Sequence, residues 1–216
     1  MQREKIFVSW SGGKDSYLSL IKAREAGLKI GSLLTFIGKD VERSMSHGLP
    51  LELLQRQSHA LGIPHVLEPV SWDDYEQGFQ RVVGELTEKG FTGGVFGDIN
   101  LLGHRQWVEE ACRKAGINPY LPLWGMEEEA VLAELLSHNA ELLIVALRPD
   151  LLDAKWLGRI LGQDFIRELT AAGLSPCGER GEYHTMALFG PHFKKKVELQ
   201  YQGTRQSGNV LFLDYL

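Results

Sequence analysis

Apolar and polar positions alternate along the first half of the chain in two different rhythms. Lys5 to Trp10 is a short β-branched and aromatic run. After a glycine turn, Tyr17, Leu18, Leu20, Ile21 and Ala23 recur at helical spacing within Asp15 to Ala26. The same order returns with Ile30 to Ile37 as strand, Leu51 to Leu61 as helix stopped by Gly62, and His65 to Pro69 as strand. Asp73 to Lys89 then reads as helix stopped by Gly90, Gly94 to Gly97 as a strand core, and Leu101 to Ala115 as helix stopped by Gly116. Parallel strands need crossovers, so this order predicts an α/β fold, a doubly wound, mostly parallel sheet with helices on both faces. Glu127 to Ser137 adds a helix, and Leu142 to Leu147, uninterrupted by polar residues, predicts a strand buried on both faces.

The rhythm changes near Pro149. Ala154 to Leu161 and Gln163 to Ala172 are expected to be helical, and Pro176 to Thr185 is a polar, glycine-rich stretch. Lys195 to Tyr201 and Asn209 to Tyr215 read as hairpin arms around a turn-rich Gln202 to Gly208. The expected division is therefore a main domain over 1–148 and a small C-terminal α+β lobe over 149–216.

A chain of 216 residues with 44% apolar and 24% charged residues has the composition of a globular protein with a sizeable core. Its net charge of −5 argues against bulk binding of nucleic acid, which normally calls for a basic face. Two cysteines, Cys112 and Cys177, are too few for a disulfide scaffold. The apolar run Ile6 to Val8 is far short of a signal-peptide core, and no later run approaches a membrane span, so a cytoplasmic location is expected. The 24 glycines are an unusual count and raise the question of where they fall.

The first cluster falls at the first strand-to-helix junction: Ser9, Trp10, Ser11, Gly12, Gly13, Lys14, Asp15 and Ser16. A helix N-terminus offers unpaired N–H groups and a partial positive charge to phosphate oxygens. Gly12 and Gly13 admit a close anion, Ser11 and Ser16 offer hydroxyls, and Lys14 adds a charge. Asp15 would repel phosphate, so it either caps the helix or holds a Mg²⁺ that bridges to the phosphates. A Walker A loop, G-x-x-x-x-G-K-S/T, is excluded, since its first position would be Val8 and its last Asp15; no G-x-G-x-x-G follows the strand either. The string resembles the PP-loop of the N-type ATP pyrophosphatases in the adenine nucleotide α-hydrolase superfamily. That resemblance implies ATP cleavage between the α and β phosphates, with the loop holding the departing pyrophosphate.

Two later clusters carry further candidate chemistry. Gly97 and Asp98 end the fourth predicted strand, on the sheet edge where ligands gather in open α/β folds; Asp98 either helps hold Mg²⁺ or caps the following helix. Ser175 to Thr185 crowds Cys177, Glu179, Arg180, Gly181, Glu182, Tyr183 and His184 into one loop. Its two carboxylates suit an ammonium or a metal, and a thiolate metal site or a Cys177/His184 nucleophilic pair are the weaker readings.

The PP-loop string, the G-D-I of Gly97 to Ile99 with a following R-x-x-V-E, the P-L-W of Pro122 to Trp124, the L-G-R of Leu157 to Arg159 and the C-G-E-x-G-E-Y-x-T of Cys177 to Thr185 occur in one order. Together they resemble the diphthine–ammonia ligase family over nearly the whole chain. The resemblance implies conversion of a carboxylate, that of diphthine on translation elongation factor 2, into an amide, with ATP, Mg²⁺ and ammonium consumed or required and AMP plus pyrophosphate released. It implies phosphate binding by Ser11 to Ser16, an adenine-side segment from Ser44 through Met45 to His47, and a substrate or ammonium side at Glu179 and Glu182 with Gly181, Tyr183 and Thr185. Lys14, Asp15, Glu179 and Glu182 are thus the expected catalytic residues. The common family form of the last motif is E-G-G-E-Y-E-T, and this chain has Arg180 and His184 in place of a glycine and a glutamate, which points to a different acceptor carboxylate. A tRNA-modifying PP-loop enzyme, a bacterial relative with another acceptor and a non-catalytic nucleotide sensor are the alternatives, and a homodimer is possible.

Overall fold

The computed structural model describes residues 4–39, 43–45 and 47–215. Its first half runs β1 (Lys5–Ser9), α1 (Lys14–Glu25), β2 (Lys29–Gly38), α2 (Leu51–Leu61), β3 (His65–Val70), α3 (Tyr75–Glu88), β4 (Phe91–Val95), α4 (Leu102–Ala115) and β5 (Asn118–Tyr120). The five strands form a parallel sheet ordered β3-β2-β1-β4-β5. The order reverses between β1 and β4, and a crevice opens at such a switch point, beyond the carboxyl ends of the strands. Ile6, Phe7 and Val8 are all fully buried because β1 is central and covered on both faces, which is why its sequence is a continuous apolar run.

The second half runs α5 (Glu128–Ser137), β6 (Glu141–Leu147), a single 3₁₀ turn at Ala154–Trp156, α6 (Gln163–Ala171), β7 (Tyr183–Phe189), β8 (Tyr201–Ser207) and β9 (Val210–Tyr215). These strands form a separate antiparallel sheet ordered β7-β6-β9-β8. One apolar core joins the two sheets: Leu18, Leu20 and Ile21 of α1 share it with Leu132 of α5, Ile144 of β6 and Met186 of β7. Lys22 of α1 adds an ion pair to Glu134 of α5 at 2.7 Å. A second core lies behind the parallel sheet, where Phe7 meets Phe79, Val82 and Val83 of α3 and Val108 and Cys112 of α4. Among the described residues no helix is long and apolar enough to cross a membrane.

Leu142 to Leu147 is the expected strand, buried throughout, and it is the antiparallel β6 between β7 and β9; an apolar run records burial and not strand direction. Four other expectations are corrected. That strand lies before residue 149, so a division at 148/149 separates it from its own sheet. Ala154 to Leu161 is not a helix, because Gly158 turns at φ +81° and the chain then runs beside β6, with Leu161 N–H donating to Leu142 O at 2.7 Å. The hairpin arms are β8 and β9, joined at Gly208 and Asn209 with Ser207 opposite Val210; the polar residues 202–207 form an exposed edge strand and not a turn. Finally, Tyr183 to Thr185 belongs to β7 and not to the preceding loop.

Candidate active site

The loop between β1 and α1 is shaped by glycine and clamped from two sides. Gly12 has φ +84°, and a Cβ there would lie 2.6 Å from Gln57 Oε1 and 2.8 Å from Leu49 Cδ1. A Cβ on Gly13 would run into the His47 ring and come within 3.0 Å of Thr185 O. Gln57, fully buried on α2, accepts from Trp10 Nε1 at 3.0 Å and donates through Nε2 to Gly12 O and Ala187 O, both at 2.8 Å. From β7, Ala187 N–H donates to Gly12 O at 2.9 Å and Thr185 Oγ1 accepts from Lys14 N–H at 3.0 Å. The N–H groups of Asp15 and Ser16 have no partner among the described residues, so the start of α1 is free to receive an anion.

Lys14 is 5% exposed, with Nζ 2.8 Å from Asp15 Oδ2. Burial works against its charge, but the Asp15 carboxylate beside it outweighs that and raises the ammonium pKa above its ordinary value. Asp15 is not the cap of α1, a position held by Gly13; its other oxygen, Oδ1, is buried without a partner. Asp98 does not cap α4 either, since that helix starts after Leu101. Gly97 instead brings Asp98 alongside α1: a Cβ on Gly97 would lie 3.0 Å from the Asp15 carbonyl carbon and 3.1 Å from Ser16 N. Burial pushes the Asp98 carboxyl up and nearby Asp15 adds to this, while His104, with Nδ1 3.3 Å away, works in the opposite direction.

These groups line one cleft of about 360 Å³, in the size range of small-molecule sites. Of the expected site residues it brings together Ser9, Ser11, Lys14, Asp15, Ser16, Met45, His47, Gly97, Asp98, Glu179, Gly181, Tyr183 and Thr185. Ser46, within the expected adenine-side segment, lies outside the described residues. Gly12 and Gly13 shape the loop without lining the cleft.

The loop before β7 separates its two carboxylates. Glu182 is 2% exposed and does not line the cleft; Oε1 accepts from Ser175 N–H at 3.2 Å and Oε2 from Arg180 N–H at 3.0 Å, so it braces the loop from inside. This is a different place from the substrate side expected of it. Glu179 lines the cleft, and burial, with Asp15, Glu128 and Asp98 adding negative charge against Lys14, pushes its carboxyl up to about 7. Tyr183 OH donates to Pro176 O at 2.6 Å while Lys14 Nζ sits 5.5 Å from its ring centroid. Cys177 is buried, its thiol is pushed up by desolvation, and its Sγ donates to Glu128 O at 3.4 Å, which is the environment of an inert thiol and not of a nucleophile. Among the described residues no group of three or more His, Cys, Asp or Glu is arranged to hold a metal by itself.

His47 and His184 lie beside one another in the cleft with ring centroids 4.6 Å apart and planes tilted by 31°. Burial holds both imidazoles neutral, His47 at about 4 and His184 at about 3. Arg180 is exposed and does not line the cleft, so of the two departures from the common motif His184 is the one that meets the site.

Sequence reasoning missed four contributors. Gln57 sits on the apolar stripe of α2 with Leu53, Leu54 and Leu61, and a polar residue at a core position was the available signal. Glu128 looked like an ordinary acid in a first helical turn. Trp72 and Tyr75 add an aromatic wall beside Phe36, whose ring centroid is 4.6 Å from that of Tyr75.

Comparison with known proteins agrees with this geometry over both halves. Residues 4–119 match the family model described as the diphthamide synthase N-terminal domain, and residues 127–210 match the one described as the diphthamide synthase C-terminal domain. A curated diphthine–ammonia ligase of Danio rerio is 27% identical over 215 residues, spanning 87% of this chain and 83% of that protein. Those of Homo sapiens and Rattus norvegicus are each 29% identical, over 216 and 213 residues, spanning 87% of this chain and 79% of each relative. With one family matched from the first strand of the parallel sheet to the last hairpin, the chain belongs to the diphthamide synthase family.

Proposed function

We propose that this chain is an ATP-dependent ligase that converts an acceptor carboxylate into an amide with ammonia, the acceptor being diphthine on elongation factor 2 or a close chemical relative. The reading is supported above all by one observation: the anion-ready start of α1 with buried Lys14, and Glu179, line a single cleft. An oxygen of the acceptor carboxylate attacks the α-phosphorus of ATP, and the bond from that phosphorus to the bridging oxygen breaks. The pyrophosphate leaves into the N–H groups of Asp15 and Ser16 and the Lys14 charge, which offset the growing negative charge. Ammonia then attacks the acyl carbon, AMP departs with the bonding pair, and the surplus proton is lost from nitrogen.

Glu179, with its carboxyl near 7, is placed to hold ammonium by its charge and to take up that proton. The unpartnered Asp15 Oδ1 and the neighbouring Asp98 fit a Mg²⁺, which commonly takes one or two carboxylates together with substrate phosphates. Bound there, Mg²⁺ would supply charge neutralisation on the phosphates.

The test is product analysis. The protein is incubated with ATP, Mg²⁺ and ammonium, with and without elongation factor 2 carrying diphthine. Acceptor-dependent AMP and pyrophosphate, with one amide formed per AMP, is the expected result; ADP as product, or AMP release indifferent to ammonium, would overturn the reading.

A further inference from the structure

Glu128, in the first turn of α5, makes contacts that its position in sequence does not announce. Its Oε2 accepts from Ser175 Oγ at 2.5 Å and from Cys177 N–H at 2.9 Å, and its Oε1 accepts from Asn100 Nδ2 at 3.1 Å. The Ser175 hydroxyl, whose O–H points to Glu128, accepts from Glu179 N–H at 2.9 Å. A continuous chain of hydrogen bonds therefore runs from the Glu128 carboxylate through Ser175 to the backbone of Glu179, each bond polarising the next. Asn100 belongs to the segment that follows Gly97 and Asp98 out of β4, so one carboxylate ties both cleft-lining loops, one from each sheet. Burial alone would push the Glu128 carboxyl up, but the bonds from Ser175, Cys177 and Asn100 reverse this and hold it below its ordinary value.

We infer that Glu128 is a positioning residue for the amide-forming step: it sets the place of Glu179 in the cleft that Asp98 and Lys14 also line, without lining that cleft itself. The inference takes from the ligase reading only what Glu179 does; that Glu128 fixes Glu179 stands on the bonds above. Glu182 completes the brace from the other side through Ser175 N–H and Arg180 N–H, which leaves the Glu179 carboxyl to face the cleft.

The experiment compares Glu128→Ala, Glu128→Gln and Glu129→Ala, the last altering an exposed neighbour on the same turn. Glu128→Ala is expected to lower kcat/KM for ammonium at least tenfold while the dissociation constant of ATP, measured without acceptor, stays within threefold. Glu128→Gln keeps an oxygen for Ser175 and Cys177, and the Asn100 amide can turn to meet its NH₂; it should recover activity to within threefold of the parent, as should Glu129→Ala. Amide hydrogen exchange gives a readout that needs no turnover: in Glu128→Ala, Cys177 and Glu179 should exchange at least tenfold faster. Unchanged kcat and KM in Glu128→Ala with an active parent would overturn the inference and leave the ligase reading standing, and so would a parallel loss of ATP affinity, which marks general damage. An inactive parent with accelerated exchange would overturn the ligase reading and leave Glu128 as the anchor of Glu179. Unaltered exchange in Glu128→Ala would remove the anchor itself.

Discussion

Gln57 offers a sharp test of how the phosphate loop is held. Its amide orientation follows from its neighbours: Trp10 Nε1 can only donate, and the carbonyls of Gly12 and Ala187 can only accept, so the oxygen must face the indole and the nitrogen the two carbonyls. Gln57→Leu fills a similar volume and removes all three bonds. Gly12 O keeps its bond from Ala187 N–H at 2.9 Å, so its loss is partial. Trp10, 1% exposed, is left with a buried donor unpaired, at a cost of about 1–3 kcal/mol, and Ala187 O adds about 1 kcal/mol. The expected destabilisation is roughly 2–4 kcal/mol, a large share of the ~5–15 kcal/mol typical of a folded chain. Urea unfolding at pH 7 measures it, and pyrophosphate affinity should fall in the same variant because Gly12 loses half of its clamp. Gln57→Glu separates charge from shape: a carboxylate satisfies Trp10 but cannot donate to either carbonyl, whereas a protonated carboxyl donates to one of them. Its deficit should therefore shrink as pH falls from 7 toward 5. A Gln57→Leu protein within 0.5 kcal/mol of the parent (about the scatter of ordinary surface substitutions), with unchanged pyrophosphate binding, would refute the clamp.

Gly97→Ala forces a methyl against the helix backbone of Asp15 and Ser16, which cannot yield as a side chain can. A loss of about 1–3 kcal/mol is expected, together with weaker ATP binding, and equal thermal midpoints in the two proteins would contradict it. Lys14→Ala should lower acceptor-dependent AMP release by at least a hundredfold in a single-turnover assay, since it strips the site of its buried cation and leaves Asp15 opposed to the phosphates. The imidazoles set an acid limit. His47 and His65 at about 4 and His184 at about 3 lie below the ordinary 6.5, so the unfolded chain takes up protons first. Their stabilising contribution is present above pH 6.5 and is lost as pH falls from there toward 4. The slope per ring cannot exceed about 1.4 kcal/mol per pH unit, because each ring takes up at most one proton. Urea midpoints from pH 7 to 4.5 should fall less steeply in His184→Asn than in the parent; parallel curves would show that His184 does not titrate as argued.

The parallel sheet was legible because its signal is local. Each strand from β1 to β4 and each helix from α1 to α4 announces itself by its own periodicity, and three of the helices by a glycine stop as well. The phosphate loop was legible for the same reason: Ser11 to Ser16 are contiguous, so spelling and location suffice. The second sheet was not, because β6 pairs with β7 across a long stretch of chain, from Leu147 with Tyr183 to Glu141 with Phe189, and nothing in an apolar run names its partner. Within the motif of residues 177–185, the glycines drew the whole stretch toward a loop. Tyr183, Thr185, Met186 and Leu188 nevertheless carry the β-forming pattern of β7. Glu179 and Glu182 show the deeper limit. They are the same residue type three positions apart, and only the fold decides that one carboxylate turns to the cleft and the other to Ser175 and Arg180.

The arrangement of β7 makes the phosphate loop a joint product of the two sheets. Alternate residues of a strand face the same side, and on β7 Thr185 and Ala187 are such a pair: one accepts from Lys14 N–H, the other gives and receives bonds at Gly12 O and Gln57 Nε2. His184, one position before Thr185, lines the cleft beside His47. A strand that grips the loop through Thr185 and Ala187 thus also delivers the position at which this chain departs from the common motif. Because the grip fixes β7 relative to Gly12 and Lys14, a change at residue 184 alters what a ligand meets without moving the loop that holds phosphate. His184→Glu, which restores the common residue, should accordingly leave ATP affinity within a few fold and shift the preference among acceptor carboxylates, read as the ratio of kcat/KM values for two acceptors. An equal loss of affinity for ATP and for both acceptors would mean that residue 184 supports the loop and does not select the substrate.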